Sequence, residues 1–99
     1  MSELITGLSA AQIAALTTDQ IAGMTTEDVA AFTATQLRAL TTAQIQAITT
    51  ANIAAFSTAQ FPQFNTVQIA AMTAGQIAAI ETADLAAMTT AQIGAIEAD

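Results

Sequence analysis

Ninety-nine residues make one ordinary domain, and the net charge of −7, with Arg38 as the only basic side chain, speaks against nucleic-acid binding and against an anionic membrane surface. Cys and His are absent, which removes disulfides, thiolate metal sites, thiol nucleophiles and imidazole bases. Mean hydropathy is positive at +0.55, yet no stretch of about 18 residues is free of Thr, Gln or charge, so no membrane insertion is expected.

The chain opens with MSELITG, which has neither a basic segment nor a long apolar run and does not read as a Sec signal peptide. Export would then need another route or a larger parent protein. From Leu8 to Ile96 a single eight-residue register holds without insertion, so residues 1–99 read as one octapeptide-repeat domain. Octad positions are numbered zero to seven. Position zero is large and apolar, as in Leu16, Leu40, Phe56 and Phe64. Position one is mostly Ser or Thr, as in Thr17, Thr41 and Thr89. Position four is an amide or a short acid, as in Gln20, Gln44 and Gln92. Position five is apolar again, as in Ile21, Ile45, Phe61, Ile69 and Ile93.

These columns together spell a helix start. A Ser or Thr hydroxyl accepts from the N–H three residues on, and the Gln side chain reaches back to the N–H of the capping residue. The apolar residues at positions zero and five form the hydrophobic staple around that cap. A new helix therefore begins every eight residues, and the predicted fold is all-α: a solenoid of very short helices, one per octad. Thr17, Gln20, Thr41, Gln44, Thr89 and Gln92 are its capping residues. Leu16, Ile21, Leu40, Ile45, Phe56, Phe61, Phe64, Ile69 and Ile93 are its core.

One long helix fits poorly, because spacings of five then three rotate the apolar stripe by about 80° per octad. A β-solenoid is the stronger rival, but positions zero and five have opposite parity on a strand, and Ala and Gln are poor strand residues. Helices shorter than about 12 residues are marginal alone, so octads must stack on one another. Two, three or four octads per superhelical turn all fit the columns. Position seven is small, which suggests close approach of segments. Positions two and three should face water.

Octad 57–64, STAQFPQF, breaks the pattern with Phe61, Pro62 and Gln63. Local repacking around a proline kink is one reading. The other is an aromatic patch of Phe56, Phe61, Pro62 and Phe64 that contacts a protein partner of unknown identity. Further along, the last octads look like the middle ones, and Glu97 and Asp99 add little charge. Without polar end caps, the expectation is a longer array or end-to-end stacking with other copies, hence self-association. Asp19, Glu27, Asp28, Glu81 and Asp84 sit at caps or in first turns, where they suit the helix dipole without a metal. Ser and Thr lack a neighbouring base, so no enzyme, cofactor or metal site is expected. The recurring position-two Thr resembles the flat Thr faces of ice-binding solenoids.

The octad TTAQIQAI and its variants, such as LTTDQIAG and MTTEDVAA, resemble the T-x-x-Q-I-x-A-L octapeptide repeats of large bacterial secreted or surface proteins, which are adhesin-like or toxin-like. The resemblance implies an extracellular or cell-surface location. It also implies a structural role, as the extended body of such a protein or the subunit of a filament. A binding module that uses one solenoid face is the alternative.

Overall fold

Two extended residues turn the chain between one short helix and the next. At Leu40 (φ −64°, ψ 131°) and Thr41 (φ −77°, ψ 165°) the backbone leaves one helix and caps the following one. The Thr41 hydroxyl accepts from the Gln44 N–H at 3.2 Å, and Gln44 Oε1 accepts from the Thr41 N–H at 2.9 Å. The same reciprocal pair forms at Ser9, Thr17, Thr25, Thr33, Asn65 and Thr73, and between Thr89 and Gln92. The helices up to residue 87 each close with a three-residue bond, such as Leu40 N–H to the Leu37 carbonyl at 3.2 Å, which tightens the last turn.

The computed structural model describes residues 5–97. Among them the helices are α1 Ala10–Ala14, α2 Thr18–Ala22, α3 Thr26–Ala31, α4 Ala34–Ala39, α5 Thr42–Ala47 and α6 Thr50–Ala55. A 3₁₀ turn, Phe61–Gln63, follows, then α7 Thr66–Ala70, α8 Ala74–Ala78, α9 Thr82–Ala87 and α10 Thr90–Glu97. No strand forms among the described residues, and no helix there is long and apolar enough to cross a membrane.

Packing partners lie three octads apart. α1 packs on α4, α2 on α5, α3 on α6, α4 on the 3₁₀ turn, α5 on α7, α6 on α8, the 3₁₀ turn on α9, and α7 on α10. The stack measures 33 × 22 × 21 Å, a cylinder nearly round in section. One burial pattern recurs in its middle turns. Positions zero, four and five are inside, positions one, two and three are outside, and position seven is half-buried where a neighbouring segment passes.

The aromatic octad departs from the exposed-patch expectation. Phe61, Phe56 and Phe64 are 0%, 2% and 2% exposed, so they are core and present no surface patch. Their ring centroids lie 5.4 to 5.8 Å apart, and Phe32 joins Phe56 at 6.3 Å. Pro62 is half-buried beside them. It has no N–H for an α-helical bond, so this octad makes a 3₁₀ turn instead. The cap survives: Gln60 Oε1 accepts from the Ser57 N–H at 2.9 Å, and the Ser57 hydroxyl accepts from the Gln60 N–H at 3.2 Å.

Of the other core residues read from the sequence, Ile21, Leu40, Ile45 and Ile69 are buried, and Leu16 and Ile93 are half-buried near the two ends of the stack. The position-two Thr residues are exposed, as at Thr18, Thr42 and Thr66. Successive octads, however, stand at least a quarter-turn apart around the cylinder, since packing partners are three octads apart and the amide bonds described below reach back four. The position-two Thr residues of consecutive octads therefore face different sides, while Thr18, Thr42 and Thr66 begin helices that pack one on the next.

Candidate functional site

The most specialised chemistry in the molecule is inside it. Eight octads carry Gln at position four, one carries Asn52, and two carry Asp28 and Asp84. A capping box needs only an acceptor there, and Glu would serve. Glu never appears at this position. The structure supplies the reason: the amide has a second task that a carboxylate cannot perform.

Gln68 Nε2 donates to the Leu37 and Leu40 carbonyls, each at 2.8 Å. These residues lie 31 and 28 positions earlier, at the end of the helix four octads back. The register repeats along the stack. Gln36 donates to Ile5 and Leu8, Gln44 to Ile13 and Leu16, Gln60 to Val29 and Phe32, Gln76 to Ile45 and Ile48, and Gln92 to Phe61 and Phe64. Asn52, one methylene shorter, makes only the bond to Met24, at 2.9 Å.

The bond to the position-zero carbonyl meets an acceptor left over at a helix end, and the bond to the position-five carbonyl adds a second donor to one that already accepts the helix-closing N–H. Packing to the third octad and hydrogen bonding to the fourth place between three and four octads in each superhelical turn. The stack repeats, one level up, the i+3 and i+4 neighbour rule of an α-helix. On the outside, Arg38 donates to Gln63 Oε1 at 2.6 Å and Gln46 to the Ala71 carbonyl at 2.9 Å, both across 25 residues.

The capping pairs read from the sequence therefore divide by place. Thr17–Gln20 makes its box in the first turn, where Gln20 is exposed. In Thr41–Gln44 and Thr89–Gln92 the Gln is buried and belongs to the ladder as well. The acids at position four also differ from the simple first-turn reading, since Asp28 and Asp84 are 2% and 3% exposed. Asp28 Oδ2 accepts from the Thr25 N–H at 3.1 Å. Among the described residues, no three acidic side chains gather as a metal site would need.

Asp84 marks the weakest rung. Glu81 stands at its N-cap and makes no side-chain cap bond, and Asp84 Oδ2 is buried without a hydrogen-bond partner. The ladder register sets this carboxyl against the Ile53 and Phe56 carbonyls, where an N–H is wanted. Burial, and secondarily the nearby Glu81 carboxylate, raise its pKa above 3.8. The packed 3₁₀ turn, FPQ, and helix α6, TANIAA, carry no titratable side chain.

Replacing Asp84 with Gln is expected to stabilise the fold at pH 7 by about 1–3 kcal/mol, the usual cost of an unmet buried polar group. An acid whose folded pKa is raised contributes its full stability below the unfolded value and loses it as pH rises through the folded value. The advantage of D84Q should therefore shrink as pH falls toward 3.8. Thermal unfolding of both proteins across that range measures it. A variant no more stable at neutral pH than the parent chain would remove this account of the rung.

The geometry agrees with the comparison with known families. The profile of the ALTTAQ repeat matches residues 2–26, 21–58 and 77–99. The chain belongs to the ALTTAQ repeat family. Residues 39–44 spell the six letters themselves, and the final Q, Gln44, is both cap partner and ladder donor. The ALTTAQ match omits residues 59–76, where Phe61 and Pro62 replace the regular octad. No curated protein and no solved structure shows significant similarity to the chain.

Proposed function

We propose that this ALTTAQ repeat chain is a non-enzymatic structural rod, the extended body of a secreted or surface-exposed protein or the subunit of a filament. The amide ladder is the observation that carries this reading. Every central turn is bonded to the one before it by the same buried contact. A repeat built this way extends a rigid body octad by octad, and its outer face is mainly Thr and Ala. The resemblance to octapeptide repeats of large bacterial surface proteins supports the location.

Protease shaving of intact cells that make the protein, with the released peptides identified by mass spectrometry, tests the proposal. Octad peptides are expected from intact cells. Recovery only after lysis would overturn the surface role.

A further inference from the structure

The two ends of the stack expose opposite halves of one repeating contact. In the first turn, position-zero Leu8 and Leu16 are only half-buried and Gln12 and Gln20 are exposed. Their Oε1 atoms hold the caps of Ser9 and Thr17, and no acceptor meets either Nε2 among the described residues. Met24 and Asp28 are already buried, and every later residue at these two positions is buried as well, apart from the half-buried Gln60 and Ile96.

In the last turn the pattern reverses. Position-five Ile77, Leu85 and Ile93 are half-buried, while position-zero Ile80 and Met88 are 6% and 8% exposed. Among the described residues, the carbonyls of Ile80 and Met88 receive no side-chain amide. One end thus offers spare amide donors and position-zero side chains. The other offers spare carbonyls and position-five side chains.

We propose that a second copy of this chain docks head to tail across these faces, so that the superhelix and its amide ladder run through the junction. This rests on the structural-rod reading above and adds its partner and register. Keeping whole octads and the steps of 31 and 28 residues seen at Gln68 sets Gln12 of the second copy against the Ile77 and Ile80 carbonyls. Its Gln20 then meets the carbonyls of Leu85 and Met88, while Asp28, which has no amide, faces those of Ile93 and Ile96 and leaves the junction with two amide rungs. The apolar side chains half-buried at both ends are covered by the same step. The contact is heterologous, so it leaves both outer ends free and propagates. Charge opposes it: Asp19 and Glu27 lie near one face, Glu81 and Asp84 near the other, and neither end has a basic residue. Added salt therefore strengthens docking, because about 0.1 M salt screens exposed charges beyond about 10 Å.

Sedimentation velocity and electron microscopy of the full 99-residue chain over a concentration series, at low and high salt, test the proposal. Expected are end-to-end oligomers that lengthen with concentration and salt. The double variant Q12E/Q20E keeps both capping acceptors but loses the junction donors, and should associate about tenfold or more weakly with unchanged thermal unfolding. Oligomers of equal strength in Q12E/Q20E would overturn the proposal. So would a helical chain that stays monomeric throughout, which leaves the rod reading standing. A non-helical chain would overturn both.

Register has its own readout. Inside the stack, positions six and seven meet across 25 residues, as at Gln46 and Ala71. Across the junction, that step pairs Ala86 with Ala15 of a second copy, both exposed. A15C/A86C treated with a short bis-maleimide should give a covalent ladder, whereas A86C alone should not. Absence of that ladder in an assembled sample would overturn the register.

Discussion

Replacing Gln68 with Glu is expected to lower stability by about 3–5 kcal/mol at pH 7, one of the largest losses available from a single polar change. The capping box would survive, since a Glu oxygen accepts from the Asn65 N–H as Gln68 Oε1 does at 2.9 Å. The loss falls wholly on the other side of the residue. Nε2 and its two bonds disappear, and a carboxylate takes its place against the Leu37 and Leu40 carbonyls. Gln68 is 2% exposed, so water cannot make up the difference. The melting temperature should fall by more than about 10 °C, at roughly 4–8 °C per kcal/mol for a domain of this size. As pH falls toward the usual Glu pKa of about 4.3 the loss should shrink, because burial raises the folded-state pKa of the new carboxyl and its protonated form donates one bond. Gln20→Glu is the control. Gln20 is exposed and makes only the cap, so its change should stay within about 0.5 kcal/mol. Denaturant unfolding of both variants separates the two tasks of the amide. Equal losses would show that capping alone explains position four.

That difference between Gln20 and Gln68 also marks how far the sequence could be read. Helix starts were legible because caps and staples are local, decided within five residues of chain. Thr41, Gln44 and Ile45 therefore stand where their spacing puts them. The pitch was not legible. It depends on bonds across 28 and 31 residues, and every octad offers nearly the same side chains to each candidate neighbour. One signal was available and went unread. Position four uses an amide where a carboxylate would cap equally well, and a preference that local chemistry does not require points to a distant partner. The aromatic octad admitted two readings, repacked core and partner patch, and local pattern alone did not choose between them. Three Phe residues within nine positions resemble a surface cluster when viewed along the chain. Once the chain coils, positions zero and five both turn inward, and the three rings pack against one another in the core.

Phe61→Ala tests that placement directly, with an expected loss of about 3–5 kcal/mol. Phe61 is fully buried and contributes to two ring pairs, at 5.8 Å with Phe56 and 5.7 Å with Phe64. Truncation removes the apolar burial, the edge-to-face contact with Phe56 and the filling of the octad. Collapse around the gap is hindered, because Pro62 fixes the backbone of the 3₁₀ turn and Gln92 holds the Phe61 carbonyl from four octads on at 2.8 Å. Phe61→Ile, which restores the usual position-five residue, should recover part of the loss. The repair should be incomplete, since Phe56 and Phe64 are shaped to a ring and a branched aliphatic side chain leaves space between them. Calorimetric or denaturant unfolding of the three proteins gives the order: parent, then Ile, then Ala. A surface partner patch would give a different result, with stability nearly unchanged in both variants.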